Sequence, residues 1–367
     1  MSTNRIHISS IQRDLFISIL LISCIGIVVI YSASSVLRPN MSSNYHFLIR
    51  HIIWSFAGLF CGYLAFKIPL KFFKKYAVHF LIISIFLIFL GSYVNPTNDA
   101  GRWLLYENGA KSITTSDFGK LALILYCAWF LDKYRKKINN LQDTLFPFLI
   151  GVGLLLISIM NQPDMSTTIV FSMISMILLY IGGLKYKFLI SLIFSGITLL
   201  SIKIYLTPYM LERIIGLLSA ENDGNYQVSR ALMAMGSAGF WGKGLGDGLL
   251  KKGFIPEIQG DFIFSLIGEE FGLIFELILI YMFLFLFIKS LQLAQKAYNP
   301  FSMFLVIGIS INFILYVIIN IGYVTQLLPT TGLALPFISY GGTHTIINFI
   351  LVGLLFNVAF EVQKHGF

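Results

Sequence analysis

Ten apolar stretches, most of them close to the length of a membrane-crossing helix, constrain this chain more than any other feature. They cover residues 15–35, 48–66, 76–94, 118–132, 144–161, 165–184, 187–207, 262–288, 302–325 and 340–360. A helix needs about 20 apolar residues to cross the hydrocarbon core of a bilayer. Charged residues make up 12% of the chain, against about 25% in a typical soluble domain. The sequence therefore predicts an all-α integral membrane protein of about ten transmembrane helices and excludes a soluble globular enzyme.

The charges of the short loops predict the orientation. With the amino terminus in the cytoplasm, most loop lysines and arginines lie on the cytoplasmic side. The short outer loops then receive only Arg38, Arg50, Arg102 and Lys111. This distribution follows the positive-inside rule, so both termini are expected in the cytoplasm. The net charge of +9 is thereby explained as a topology signal, and no nucleic-acid partner is predicted.

Two outer segments are long enough to hold a binding site. They are residues 95–117 and residues 208–260, the second lying between the seventh and eighth spans. Within the longer segment, residues 208–218 have the pattern of a helix lying in the membrane interface. Residues 226–235 predict a second short helix. We interpret residues 1–367 as a single polytopic membrane domain whose active-site face is formed by the two outer segments.

Asp261 lies where a glycine-rich, charge-bearing loop enters the apolar eighth span. Ionisable groups within membrane segments mark functional sites, and a carboxylate at the outer mouth is within reach of a substrate with a polar headgroup. The alternative role is a helix N-cap, a position that aspartate favours. The glycine-rich run, residues 236–248, matches no Walker A motif and indicates either a flexible gate or close helix packing.

Further charges lie inside the predicted spans. Lys120 follows Asp117 by three residues, a spacing that allows an ion pair on one helical face. The alternative is that Lys120 faces an outer cavity that holds an anion. Glu269, Glu270 and Glu276 in the eighth span indicate that this helix faces protein or water. For the first two, hydrogen bonds to neighbouring helices are favoured over catalysis.

Arg102 and Trp103 combine a permanent cation with a ring that prefers the membrane interface. They serve either as a membrane anchor or as a phosphate-binding pair. Pro329 and Pro336, between the last two spans, indicate a broken element packed within the protein. His344 is interpreted as a packing residue, because no second histidine or cysteine lies at metal-binding spacing.

Several stretches together resemble one family, the SEDS proteins (shape, elongation, division and sporulation), which are polymerases of bacterial peptidoglycan. The matching stretches are YSASS at 31–35, GRW at 101–103, FGKLAL at 118–123, QPD at 162–164, GFWGKGLGDG at 239–248, IPE, DFIF and GEEFG within 255–272, and NIG and TQLLPTTGLALPFISYGG within 320–342. They occur in family order over nearly the whole chain. YSASS and the threonine after Pro329 resemble the division member of the family more than the elongation member.

The resemblance implies a glycosyltransferase that polymerises lipid II into glycan strands at the outer face of the bacterial inner membrane, during septal cell-wall synthesis. It also implies partners, namely a class B penicillin-binding protein and other membrane proteins of the division or elongation machinery. The alternatives are a flippase for the lipid-linked precursor, an elongation polymerase of the same family, and a non-catalytic scaffold. The only cofactor that the chemistry suggests is a divalent cation, Mg²⁺ or Mn²⁺, at the pyrophosphate.

The resemblance also assigns roles to residues. The essential aspartate of the family falls on Asp261, which we expect to act as the general base on the acceptor hydroxyl. The family's lysine falls on Lys120, and its RW pair on Arg102 and Trp103. Both cations are candidates for stabilising the departing pyrophosphate. The remaining predicted substrate-binding residues are Lys111 and Glu257.

The chain departs from the family pattern beside two of these residues. Many members carry a basic residue at the position of Ser112, which here adjoins Lys111. The usual H-T-D sequence reads Gln259-Gly260-Asp261. Both departures leave the predicted acid and the predicted lysine in place.

Overall fold

The computed structural model of the chain describes residues 2–35, 45–94, 103–107, 110–162, 164–207, 211, 223–252 and 258–365. The helices are α1 Ser2–Ser34, α2 His46–Lys67, α3 Leu70–Val94, α4 Thr115–Tyr134, α5 Phe146–Asn161, α6 Met165–Ile181, α7 Tyr186–Leu206, α8 Asp223–Ala238, α9 Ile263–Gln295, α10 Pro300–Val324 and α11 Gly342–His365. An antiparallel hairpin, β1 Trp103–Glu107 and β2 Ala110–Thr114, precedes α4. A π turn, Leu141–Leu145, precedes α5.

The helices confirm the predicted multi-pass fold. Among the described residues, eight candidate spans are long and apolar enough to cross a membrane: α1, α2, α3, α5 with its π turn, α7, α9, α10 and α11. The other two predicted spans are α4, which is interrupted by charged residues, and α6, which has 17 residues. Observed and predicted limits differ by only a few residues at most ends. The hairpin is an addition that the hydropathy pattern did not indicate.

Side-chain contacts place the helix ends on two opposite sides of the bundle. On one side, Lys289 of α9 pairs with Asp14 of α1 at 2.8 Å, and Lys74 of α3 pairs with Asp132 of α4. The lysine-rich loops lie on this side, which is therefore cytoplasmic by the positive-inside rule. The start of α4, the end of α5, the start of α6, the end of α10 and the start of α11 meet on the other side. Asp261 precedes α9 on that outer side.

A break in α9 places irregular backbone inside the bundle. Gly272 has φ 80° and ψ 177°, which are not helical angles and which suit glycine. The glycine-rich loop, residues 239–244, fills the break and is called the glycine plug below. Four backbone bonds join it to α9: Lys243 N to Glu269 O (3.0 Å), Gly244 N to Glu270 O (3.0 Å), Leu273 N to Gly239 O (3.2 Å) and Ile274 N to Phe240 O (3.3 Å). Both broken helix ends are thus satisfied by protein, and residues 239–244 are bonded to α9 rather than forming a free gate, although much of the glycine-rich run is exposed.

Substituting Gly242 with alanine should destabilise the protein. Gly242 has φ +78°, and an added Cβ would lie 2.3 Å from the Glu270 carbonyl oxygen. The positive φ alone costs about 1–2 kcal/mol for a residue with a side chain, and the backbone clash adds to this. We expect a clearly lower melting temperature in detergent. Gly236→Ala is the matched control, because nothing lies within 4 Å of its added Cβ, and an equal loss in both variants would contradict the packing role of the plug.

Of the two helices expected within residues 208–260, one falls within the described residues. The short helix at 226–235 is confirmed and lies within α8. The interfacial helix at 208–218 lies outside the described residues, apart from Leu211. α7, which precedes this segment, has no buried residue, in contrast to α10, most of which is buried.

Candidate functional site

Asp261 lies in a short turn just before α9. The helix begins at Ile263, and its N-cap residue is Phe262, which makes no side-chain cap bond. Asp261 is therefore one residue too early to be the N-cap, and that alternative is wrong. The residue is partly exposed, at the outer side of the bundle.

The segment between α10 and α11, residues 325–341, packs directly against this turn. Ser339 Oγ donates to Gly260 O at 2.7 Å, and Tyr340 N donates to Gln259 O at 2.8 Å. Ser166 of α6 fixes the same segment by donating to Thr331 O at 2.7 Å. The segment is irregular, and its second half, residues 333–340, is largely buried, which confirms the broken element predicted from its prolines.

Gly332 borders the Asp261 carboxylate. A Cβ added to Gly332 would lie 3.1 Å from Asp261 Oδ2, and Gly332 has φ +66°. Gly332 itself is exposed, so the missing side chain leaves one approach to the carboxylate open. We name the segment 329–333 the PTTGL loop.

Replacing Gly332 with alanine should reduce activity more than stability. The positive φ costs about 1–2 kcal/mol, and the new methyl group would cover the open approach to Asp261. Gly183→Ala is the control, because Gly183 has φ +98° with nothing within 4 Å and lies in the cytoplasmic loop after α6. Turnover and melting temperature of both variants should be compared. Equal activity losses would mean that backbone strain, and not access to the carboxylate, matters at Gly332.

Lys120 lies in a buried polar cluster. Its side chain has no exposed surface, and Nζ lies 3.4 Å from Asp117 Oδ1 and 4.3 Å from the centre of the Tyr316 ring. Asp117 Oδ2 accepts a hydrogen bond from Thr343 Oγ1 at 2.9 Å. The predicted ion pair at i,i+3 is therefore present. Lys120 has no exposed side-chain surface here, so a role in holding an anion requires a ligand that competes with Asp117 for the pair.

His344 takes part in this cluster and is more than a packing residue. Its Nδ1 lies 3.3 Å from Lys120 Nζ and 3.5 Å from Asp117 Oδ1. Its ring centroid is 5.7 Å from that of Tyr316. The sequence offered no signal for this role beyond a histidine in an apolar helix.

The Lys120 cluster and the Asp261 turn attach to the same face of α10. Tyr316 packs against Lys120, and Asn320 donates to the Asp261 carbonyl oxygen. Residues four apart lie on one helical face, about 6 Å apart along the axis. α10 thus contacts Lys120 and the Asp261 turn at positions one helical turn apart along its axis.

The remaining predicted site residues fall partly within the described residues. Arg102 and Glu257 lie outside the described residues, while Trp103 and Lys111 belong to β1 and β2. The hairpin is joined to the site, because Thr114 N donates to Thr343 Oγ1 at 2.9 Å. The outer segment 95–117 therefore ends beside the Lys120 cluster.

Glu269 and Glu270 have structural partners. Glu269 accepts hydrogen bonds from the backbone nitrogens of Leu249 and Leu250, at 2.9 and 3.0 Å. Glu270 pairs with Lys251 at 3.0 Å and accepts a bond from Ser32 Oγ of α1 at 2.7 Å. The preference for hydrogen bonding over catalysis agrees with this arrangement, but most partners come from the loop after α8 rather than from neighbouring helices.

The arrangement offers a partly exposed aspartate, an exposed glycine beside its carboxylate, and a buried lysine that packs against Tyr316, one turn of α10 before Asn320. A carboxylate of this kind can accept a proton from a substrate hydroxyl. Within the described residues, no group of three or more histidine, cysteine, aspartate or glutamate side chains is placed to hold a metal ion.

Comparisons with known proteins cover almost the whole chain. The family described as cell cycle protein, comprising FtsW, RodA and SpoVE, matches residues 12–364. A probable peptidoglycan glycosyltransferase FtsW from Trichlorobacter lovleyi is 33% identical over 355 residues, which are 94% of this chain and 92% of the relative. Two solved structures share the fold at 21% identity. One is a chain of a peptidoglycan synthase complex that coordinates polymerization and crosslinking, with a TM-score of 0.78 over 95% of this chain and 97% of its own. The other is the rod shape determining protein RodA of Thermus thermophilus, with a TM-score of 0.69 over 95% of this chain and 96% of its own.

Proposed function

Because the chain belongs to the FtsW/RodA/SpoVE family of cell cycle proteins, we propose that it is a peptidoglycan glycosyltransferase of cell division. It would polymerise lipid II at the outer face of the bacterial inner membrane. The observation that carries this proposal is the similarity, over 94% of the chain, to a protein named as such a glycosyltransferase. The position of a partly exposed aspartate on the outer side of a multi-pass bundle supports it.

The proposed reaction joins two sugars. A hydroxyl oxygen of one glycan attacks the anomeric carbon of the other, and the bond between that carbon and the lipid pyrophosphate breaks. Asp261 accepts the hydroxyl proton, and the pyrophosphate departs with its lipid. A positioned general base of this kind typically contributes about 10²–10⁴-fold to the rate.

Positive charge near the leaving group is the second requirement. Lys120 packs against Tyr316, which lies one turn of α10 before Asn320, the residue that contacts the Asp261 turn. It would reach a pyrophosphate only when the ligand replaces Asp117 as its anionic partner. Arg102, in the outer segment before β1, is the other proposed contact, and Trp103, Lys111 and Glu257 remain proposed substrate-binding residues. A divalent cation, Mg²⁺ or Mn²⁺, at the pyrophosphate remains the proposed cofactor and would add positive charge beside the leaving group.

The location of the acid favours polymerisation over transport. A flippase needs a site near the middle of the bilayer that opens to both sides. Asp261 lies on the outer side, at the level of the last turns of α10. The elongation role is the less favoured assignment, because the relative described above carries the name of the division protein.

The proposed partner is a class B penicillin-binding protein that crosslinks the strands, together with other membrane proteins of the division machinery. One structural neighbour comes from a complex that coordinates polymerization and crosslinking, and its chain has the same fold as this one. A surface for a second membrane protein is therefore compatible with this fold.

Purified protein in detergent or liposomes should convert lipid II into glycan strands, measured by separation of the polymer on gels. The partner protein should be tested at increasing ratios, with a transpeptidation inhibitor present so that only polymerisation is measured. A labelled-lipid translocation assay in the same liposomes serves as the competing test. Translocation without any polymer, with the partner present, would replace the proposed function by transport.

A further inference from the structure

The turn that carries Asp261 is held by two side chains of α10. Asn320 Nδ2 donates to the Asp261 main-chain carbonyl oxygen at 3.1 Å, and Tyr323 OH donates to the same oxygen. Neither side chain is accessible, with Asn320 0% and Tyr323 1% exposed. Because Asp261 precedes α9 and is not its N-cap, these bonds supply a restraint that helical hydrogen bonding does not.

Asn320 also connects the turn to the PTTGL loop. The same Nδ2 donates to Leu333 O at 2.7 Å, one residue beyond the glycine that borders the Asp261 carboxylate. Both of these partners are carbonyl acceptors, which fixes the orientation of the amide with its nitrogen towards them. One side chain therefore sets the position of the acidic turn relative to the loop beside it.

Tyr323 reinforces the contact through its ring. The ring centroid lies 5.7 Å from that of Phe262 in a perpendicular arrangement, which is a favourable geometry for aromatic pairs. Tyr323 thus contacts the residues on both sides of the peptide that follows Asp261, one through its hydroxyl group and one through its ring.

We propose that Asn320 and Tyr323 are positioning residues for the reaction, which set where the Asp261 carboxylate meets the acceptor hydroxyl. The inference rests on the proposed function of Asp261 as the base. A base on an unrestrained turn would sample many orientations, and misplacement by about 1 Å can cost on the order of 100-fold in rate. Because these two contacts are made to the main-chain oxygen, they restrain the turn without using the carboxylate itself.

The test uses the full chain in three variants. Tyr323→Phe removes one donor and keeps the ring against Phe262. Asn320→Leu removes the other donor at similar volume. Thr325→Val is the matched control, because the Thr325 hydroxyl bonds only to carbonyl groups of α10, Ile321 O and Gly322 O, among the described contacts. Lipid II polymerisation (kcat and KM) and melting temperature are measured for each.

We expect kcat to fall about 10-fold in Tyr323→Phe and up to about 100-fold in Asn320→Leu. KM should stay within about twofold, the melting temperature of Tyr323→Phe should be close to that of the parent, and Thr325→Val should behave as the parent. A double-variant experiment distinguishes the positioning role from a purely structural one. In an Asp261→Asn background, Tyr323→Phe should lower the residual rate no further, because there is no base left to position.

Unchanged kcat in Tyr323→Phe and in folded Asn320→Leu would overturn the proposal. Additive losses in the Asp261→Asn background would do the same. Should Asn320→Leu fail to fold, Tyr323→Phe decides the question alone. Normal polymerisation by Asp261→Asn itself would instead reject the base assignment, which separates failure of the proposed function from failure of the positioning role.

Discussion

Replacing Asp261 with asparagine is expected to abolish lipid II polymerisation while leaving the fold intact. The substitution keeps the size of the side chain but removes the proton acceptor, so the rate should fall by about 10²–10⁴-fold. The bonds from Asn320 and Tyr323 go to the main-chain oxygen of Asp261, so this substitution does not remove them. Initial rates of polymer formation and the melting temperature should be measured on the same purified samples.

Asp247→Asn provides the control for this experiment. Asp247 is an exposed carboxylate in the loop after α8 and has no proposed part in the reaction. We expect normal turnover in that variant. Polymerisation by Asp261→Asn at the parental rate would remove the general base from the mechanism and leave only the family relationship as support for the proposed activity.

Replacing Lys120 with methionine should give the largest loss of stability among the variants proposed. The Lys120 ammonium is fully buried beside Asp117, and its removal leaves a buried carboxylate without its lysine partner. Breaking a buried pair in this way costs about 3–5 kcal/mol. The melting temperature in detergent should therefore fall steeply, and little active protein should be recovered.

The double variant Lys120→Met/Asp117→Asn separates stability from function. Removing both charges avoids the unpaired carboxylate, so most of the stability should return. Activity should stay low, because the cation proposed for the pyrophosphate is absent. Recovery of both stability and full turnover in the double variant would mean that the ion pair is purely structural.

The sequence predicted the spans well because hydropathy is a local property. Each apolar stretch must become a helix to satisfy its backbone in lipid, so α1 to α7 and α9 to α11 follow from composition alone. The place of Asp261 at the outer end of α9 was predicted for the same reason, because the change from glycine-rich loop to apolar helix can be seen in the sequence.

Contacts between segments that are distant in the sequence could not be predicted from hydropathy. The bond from Asn320 to the Asp261 carbonyl joins residues 59 positions apart, and Lys120 contacts His344 across 224 positions. The sequence motif NIG drew attention to Asn320 only as part of a family pattern. The burial of Lys120 and the bonding of Glu269 to backbone nitrogens likewise depend on which segments pack together, which spacing within one segment does not reveal.

The break at Gly272 has a consequence for biosynthesis. Residues 273–295 form roughly 35 Å of helix at 1.5 Å per residue, enough to cross the hydrocarbon core without the residues before them. Insertion of this span can therefore precede the docking of the glycine plug, which completes the backbone bonding of Glu269 and Glu270. The part of α9 next to Asp261 is then expected to mature last, after translocation of the loop, so that a newly made chain becomes competent for synthesis only once its transmembrane topology is complete.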